Sequence, residues 1–437
     1  MPLEAQLLAA VSAWRSAPVW TVAFSGGLDS TVLLHLLASL AQREQFPPLR
    51  AIHIQHGLQV AAEAWPAHCQ RVCAALKVPL LVREVQVQAG ASLEQAARDA
   101  RYAAFASVLG ADELLLTAQH RDDQAETLLI RLLRGAGARG LAAMPASRPL
   151  GAGQLVRPLL DVSRDELQTY ARANGLDWVE DPSNRDERFS RNFLRRQVLP
   201  LLTSRWPQAM ASMARSAAHL SEAQGLLDEL AQGDLAALDT PSRFAWLALP
   251  SLPLAPLLKL SAARQRNLLR YWLAPLTPLP DSDHWVGWTS LASAAVDAAP
   301  IWRLARGELR RADGRLWWLT GAWLQALPPI DLPLSADTPM RLPGNGCVRL
   351  LGQAPAGPLY VRYRQSGEQF YLPGRGRREL KRLLNEAGVP GFVRGRLPLL
   401  YRGNELLSVA NLPQLSVAGL NSWQFVWQPP TNDQDLS

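Results

Sequence analysis

The sequence predicts an α/β protein: a mostly parallel sheet covered by helices on both faces, then a helical middle region and a small α+β region. Three observations carry that expectation. Strand-like apolar runs alternate with helix-period segments through the first 200 residues. Near Trp206 the texture changes to one long amphipathic stretch followed by Pro- and Trp-rich sequence, and residues 340–427 return to short alternating runs around one basic helix. A chain of 437 residues exceeds one ordinary core, and the expected boundaries are 1–210, 211–330 and 340–428, with "LPPIDLPLSADTP" as linker.

Each element has its own signal. The opening "MPLEAQLLAAVSAWRSAP" reads as an amphipathic helix, "VWTVAF" as a strand and "STVLLHLLASLAQ" as a helix. "LRAIHIQHG" and "PLLVREVQV" alternate as strands around the helix "AAEAWPAHCQRVCAALK". "SLEQAARDARYAAFASVLG" is helical, "DELLLTAQH" a strand, and "DDQAETLLIRLLRG" a helix. Ser163 and Glu166 form a capping box opening a helix through Ala173, with Gly175 suited to its C-terminal cap. "MASMARSAAHLSEAQGLLDELAQ" predicts the long helix, and "RRELKRLLNEAG" the basic one. The tail "QPPTNDQDLS" reads as frayed.

Hydrophobic content of 48% supports globular folding, and no run approaches the ~18 apolar residues of a membrane span. The N-terminus lacks a basic signal-peptide start. Cys69, Cys73 and Cys347 are too few and odd in number for a secreted disulfide scaffold, so cytoplasm is expected. Net charge is +7, and Lys77, Lys259 and Lys381 are the only lysines, so arginine carries the basic charge that polyanion binding requires. The fifteen tryptophans, among them those of "HWVGW" and "RLWWL", are expected in cores.

"AFSGGLDST" (23–31) follows a strand and opens a helix, the arrangement by which turn amides and a helix N-terminus hold an anion. Gly26 and Gly27 let backbone approach a ligand, Ser25 and Ser30 add hydroxyls, and Leu28 and Asp29 start the helix. The spacing and lysine of a Walker A loop are missing, so the loop suits a pyrophosphate moiety, with Asp29 helping seat Mg²⁺. The plainer alternative is a Gly-Gly turn with a polar helix cap.

"SGGLDS" resembles the PP-loop of the N-type ATP pyrophosphatases, which implies a Rossmann-like fold and cleavage of ATP between its α- and β-phosphates. "TAQHRDDQAETLLIRLLRGAGARGLAAM" (117–144) is similar to the signature of the tRNA(Ile)-lysidine synthetases, with Gln119 where that family often carries a second His. "SLEQAARDARY", "IQHGL" (54–58), the stretch 157–202 with EDPSN, Arg191, Asn192 and Arg195, and the basic stretch 374–401 match as well. This resemblance implies that ATP activates the wobble cytidine of a tRNA(Ile) with a CAU anticodon and that L-lysine then displaces AMP. Monomer and homodimer both stay open, and no membrane partner is implied.

For the site, the resemblance implies catalytic roles for Asp29, His120, Asp123 and Glu126, although three carboxylates in a first turn also suit a helix dipole. Arg98 and Arg101, at i and i+3, can reach a carboxylate or phosphate, or simply cover apolar surface. Asp122 is a candidate for the lysine ammonium. RNA contact is expected from Arg185, Arg188, Arg191, Arg195 and Arg196, and from Arg375, Arg377, Arg378, Lys381 and Arg382. Two rivals remain at this level. A tRNA thiolase needs closely spaced cysteines, and here Cys69 and Cys73 look like buried small residues. A non-catalytic RNA-binding protein would have no need of an intact Ser25, Asp29 and Ser30.

Overall fold

The computed structural model describes residues 2–55, 64–86, 93–238, 240–280, 283–295, 298–335, 338–372, 376–417 and 423–431. Residues 56–58 of "IQHGL", residues 61–63 of "AAEAWPAHCQRVCAALK", Val87 of "PLLVREVQV", Arg375 and the tail 432–437 lie outside them. The chain divides into two compact units, Met1–Leu226 and Leu227–Ser437.

The first unit follows the expected alternation: α1 (Leu3–Val11), β1 (Trp20–Ala23), α2 (Leu28–Leu40), β2 (Leu49–Gln55), α3 (Trp65–Ala75), β3 (Leu80–Glu84), α4 (Leu93–Val108), β4 (Leu114–Leu116), α5 (Arg121–Leu133), α6 (Ala138–Leu141), β5 (Ser147–Leu150), β6 (Gly153–Val156) and α7 (Arg164–Ala173). The strands lie in the order β3-β2-β1-β4-β6-β5. All neighbours are parallel except the terminal β5–β6 hairpin. Burial on both faces explains the continuous apolar runs. In β4, Leu114 and Leu116 face a core with Leu33, Leu37 and Val156, while Leu115 faces Ile52, Phe105 and Leu155 on the other side. Ser163 caps α7 as expected: its hydroxyl accepts from the Glu166 amide, whose carboxylate accepts the Ser163 amide at 2.9 Å.

Sheet order reverses between β1 and β4, which opens a crevice at their carboxyl ends. The first unit continues through α8 (Ser190–Phe193), a wide π-turn at Leu194–Val198 and α9 (Leu199–Arg205). The unit boundary falls within α10 (Ala209–Ala237).

The second unit carries the expected helices α11 (Leu254–Lys259), α12 (Ala262–Leu273) and α13 (Val286–Ser293), preceded by a strand, β7 (Ser251–Pro253). It also holds an antiparallel sheet that the helical expectation missed, in which β7 joins β8 (Ile301–Leu304), β9 (Gly307–Ala312) and β10 (Arg315–Leu319) in the order β7-β10-β9-β8. The linker expectation is corrected too. Asp331–Leu334 forms β11, at the edge of a sheet with β14 (Leu359–Tyr363), β17 (Pro398–Arg402) and β18 (Glu405–Val409). Pro333 is tolerated there because an edge strand needs no donor on its outer side. The small strand β12 (Met340–Arg341) pairs with β13 (Cys347–Gly352), which in turn pairs with β19 (Trp423–Gln428).

The expected basic helix is shorter than its pattern. Arg377 and Arg378 belong to β16 (Gly376–Glu379), paired with β15 (Gln369–Leu372), and α14 (Leu380–Glu386) begins only where Leu380, Leu383 and Leu384 can be buried together; α15 (Gly391–Arg394) follows. The start of the tail is docked, since the Trp323 indole donates to the Pro430 carbonyl at 3.1 Å. Tryptophans behave as core residues, with Trp317, Trp318 and Trp427 each about 1% exposed; Trp206 is the exposed exception at 59%.

Candidate active site at the carboxyl edge of the parallel sheet

The loop after β1 is shaped by two glycines and two hydroxyls. Gly26 adopts φ +82°, and a Cβ there would lie 3.1 Å from the Cys69 sulfur. Its carbonyl accepts the Val179 amide at 2.9 Å, which ties the segment leading into EDPSN against the loop. Ser25 and Ser30 hydroxyls meet at 3.0 Å, the Ser30 hydroxyl also accepts the Ser25 amide at 3.2 Å, and Gly27 caps α2 in extended conformation. Leu28 is buried beneath. Behind the loop, buried His53 meets the Phe24 carbonyl at 2.9 Å and the Cys69 sulfur at 3.4 Å.

Asp29, in the first turn of α2, has one carboxylate oxygen, Oδ1, buried without a hydrogen-bond partner. Burial raises its pKa above its ordinary value; His120 opposes that and Asp123 reinforces it. Across the crevice, α5 opens at His120, whose amide donates to the Asp123 carboxylate at 3.1 Å. The imidazole is 1% exposed and surrounded by carboxylates: Nε2 lies 3.7 Å from Asp29 and 3.5 Å from Asp123, and Nδ1 lies 3.7 Å from Asp122. Burial pushes its pKa down, but Asp122, Asp123 and Asp29 together outweigh that and leave it raised. Asp122 accepts the Arg164 amide at 3.1 Å and is itself lowered: burial acts upward and is outweighed by His120 and that amide. Gln119, in the place of a second His, accepts a hydrogen bond from Thr117.

Glu126 is 1% exposed and fully engaged. Arg191 Nε donates to its Oε2 at 2.6 Å and Arg195 Nε to its Oε1 at 2.6 Å, while their Nη2 groups lie 2.9 and 3.3 Å from Asp123 Oδ1. Asn192, predicted with them, ties EDPSN instead, donating to the Ser183 and Asp186 carbonyls at 2.8 Å each. The rest of this basic run is also compensated: Arg185 pairs with Glu180 at 3.5 Å, Arg188 with Asp186 at 2.7 Å, and Arg196 with Glu187 at 3.5 Å.

The structure thus gathers Ser25, Gly26, Gly27, Leu28, Asp29, Ser30, His120, Asp122, Asp123, Glu126, Arg191 and Arg195 in the first unit. Arg98 and Arg101 sit on α4 in a separate group around Tyr102. Arg377, Arg378, Lys381 and Arg382 are exposed in the second unit, Arg382 pairing with Glu386 at 3.1 Å. Sequence reasoning missed His53 and Val179, which shape the loop from behind. Cys69 and Cys73 are buried, and burial pushes their thiols up to about 12 and about 11, so neither is a thiolate nucleophile. Among the described residues no helix is long and apolar enough to cross a membrane.

Family models match three stretches: the PP-loop domain over residues 2–202, the TilS substrate binding domain over 252–317 and the TilS substrate C-terminal domain over 359–419. A tRNA(Ile)-lysidine synthase of Pseudomonas fluorescens is 63% identical, covering 99% of this chain and 98% of its own. That of Pseudomonas aeruginosa is 64% identical over 100% of this chain and 99% of its own, and that of Escherichia coli O157:H7 is 42% identical over 93% and 96%. End-to-end likeness of this extent places the chain in the tRNA(Ile)-lysidine synthase family.

Proposed function

We propose that the protein ligates L-lysine to C2 of the wobble cytidine of a tRNA(Ile) with a CAU anticodon, consuming ATP and releasing AMP and pyrophosphate. The carrying observation is full-length likeness to lysidine synthases, and the reading is supported by a loop where the Ser25 and Ser30 hydroxyls meet and Asp29 keeps a buried oxygen without a partner. Residues 1–210 would perform the chemistry, and 211–330 and 340–428 would hold RNA, Arg377, Arg378 and Lys381 contributing phosphate contacts.

Amides of Ser25–Ser30 and the N-terminus of α2 suit ATP phosphates. Mg²⁺ fits beside them, because Asp29 Oδ1 is a buried oxygen without a partner and the ion takes one or two carboxylates plus phosphate oxygens and water. Bound there, the ion would neutralise charge on the departing pyrophosphate. The cytidine O2 attacks the α-phosphorus as the bond to pyrophosphate breaks. The lysine ε-amine then attacks C2, and AMP leaves with the former O2.

Lysine arrives as an ammonium, which Asp122 can hold, and it must lose a proton before attack. His120, with Nε2 facing Asp29 and Asp123, is the group able to carry that proton. Glu126 has both oxygens committed to Arg191 and Arg195, so it positions these arginines and Asp123 rather than contacting substrate. The reading is tested by nucleoside analysis of a CAU-anticodon tRNA(Ile) incubated with protein, ATP and labelled lysine. Label in lysidine is expected; a sulfur-containing nucleoside, or no pyrophosphate release, would overturn it.

A further inference from the structure

One cluster of charged side chains plays no part in this chemistry. α4 and the β5–β6 hairpin bring four arginines around Tyr102, and α5 adds Arg131 beside Arg98. The Arg98 and Arg148 guanidinium carbons lie 5.0 and 5.1 Å from its ring centroid. Arg157, 4% exposed, acts on the phenol, donates from Nη1 to the Pro145 carbonyl at 2.7 Å, and has a buried Nε without a partner. Arg131 donates from Nη1 to the Gly140 and Ala143 carbonyls at 2.8 and 2.7 Å, and Arg101 follows Arg98 by one turn.

None of the five is ion-paired to a carboxylate among the described side chains; the charges acting on Arg101, Arg131 and Arg157 are those of neighbouring arginines and the phenol. The run 185–196 is the opposite case, since each arginine there pairs with a carboxylate, Arg191 and Arg195 sharing Glu126. Arg98 depresses Arg131 and Arg157 in addition to the effect of burial. Burial pushes the Tyr102 phenol up, but Arg98, Arg157 and Arg101 outweigh that and bring it below its ordinary value, which makes it a stronger hydrogen-bond donor. Five like charges gathered without counter-charge repel one another unless a ligand supplies the anion.

We propose that this quintet is a phosphate-binding site that grips the ribose-phosphate backbone of the tRNA substrate. The inference rests on the tRNA reading above. Free lysine carries net positive charge and is repelled here, whereas its ammonium suits the carboxylates of the crevice. Planar guanidiniums can clasp phosphate oxygens in pairs. The lysine α-carboxylate is the competing source of negative charge, and it separates from RNA by measurement.

The test uses the full-length protein with Arg148→Gln, Arg98→Gln and the charge-keeping Arg148→Lys. For each, tRNA dissociation constant against salt concentration, ATP affinity and lysine KM are measured. Either Gln variant should weaken tRNA binding about three- to tenfold at ~0.1 M salt and flatten the log–log salt slope by roughly 0.7–0.9. Arg148→Lys should restore the slope, and ATP affinity and lysine KM should stay put. Unchanged tRNA affinity and slope in both Gln variants, or a raised lysine KM alone, would overturn the site. If wild-type protein makes no lysidine while the RNA effect persists, only the reaction reading fails; lysidine formation with unaltered RNA affinity retires the quintet alone.

Discussion

At the scale of single residues, the proposed chemistry turns on Asp29 and His120. Asp29→Ala should abolish tRNA-dependent pyrophosphate release while leaving tRNA affinity within about twofold, because a surface of many phosphate contacts hardly notices one carboxylate; an active variant would contradict the phosphate-site role. His120 is raised above its ordinary value near 6.5, so its stabilising contribution is complete below that pH and fades as pH climbs through the folded value. Denaturation of wild type and His120→Gln should therefore converge toward alkaline pH, and parallel curves would refute the carboxylate cage. Glu126→Gln should cost about 3 kcal/mol, the low end for breaking a buried pair, since Arg191 and Arg195 keep some water contact. Urea titration reads that loss. The SGGLDS loop and the acidic first turn of α5 were legible because their chemistry is local in sequence. The grip of Arg191 and Arg195 on Glu126 was not: it spans 65 and 69 residues and needs the fold to close.

Among the elements, the loop after β1 tolerates little. Gly26→Ala would force a side chain into a left-handed backbone at about 1–2 kcal/mol and press it toward the Cys69 sulfur. Loss of pyrophosphate release with nearly unchanged circular dichroism is expected. Strand and helix succession in the first unit could be read because burial on both faces leaves long apolar runs. The sheet of β7–β10 escaped notice because arginines crowd its strands and mask the alternation. Yet Asp313-Gly314, both at positive φ between β9 and β10, is a tight-hairpin signal that could have found it. β11 hid behind its proline for a different reason: an edge strand can omit a donor, so composition alone misleads there. The Tyr102 quintet is beyond any sequence pattern, since only the strand order β4-β6-β5 and the flanking helices draw residues 98, 131, 148 and 157 together.

Over the whole molecule, positive charge is almost entirely arginine, and its placement differs by region. Arg377, Arg378 and Lys381 are exposed near the β15–β16 hairpin, and reversing all three to Glu should weaken tRNA binding in a salt-dependent way with the thermal midpoint within a few degrees of wild type. Unaltered binding would remove this patch from the interface. Guanidiniums hold their charge at any working pH, whereas Asp29 has one bare oxygen and a proton affinity above that of ordinary acids. Catalysis should thus fall away before RNA capture as buffers are acidified: this carboxyl takes up hydrogen at a higher pH than an ordinary aspartate, while the arginines keep the nucleic acid seated.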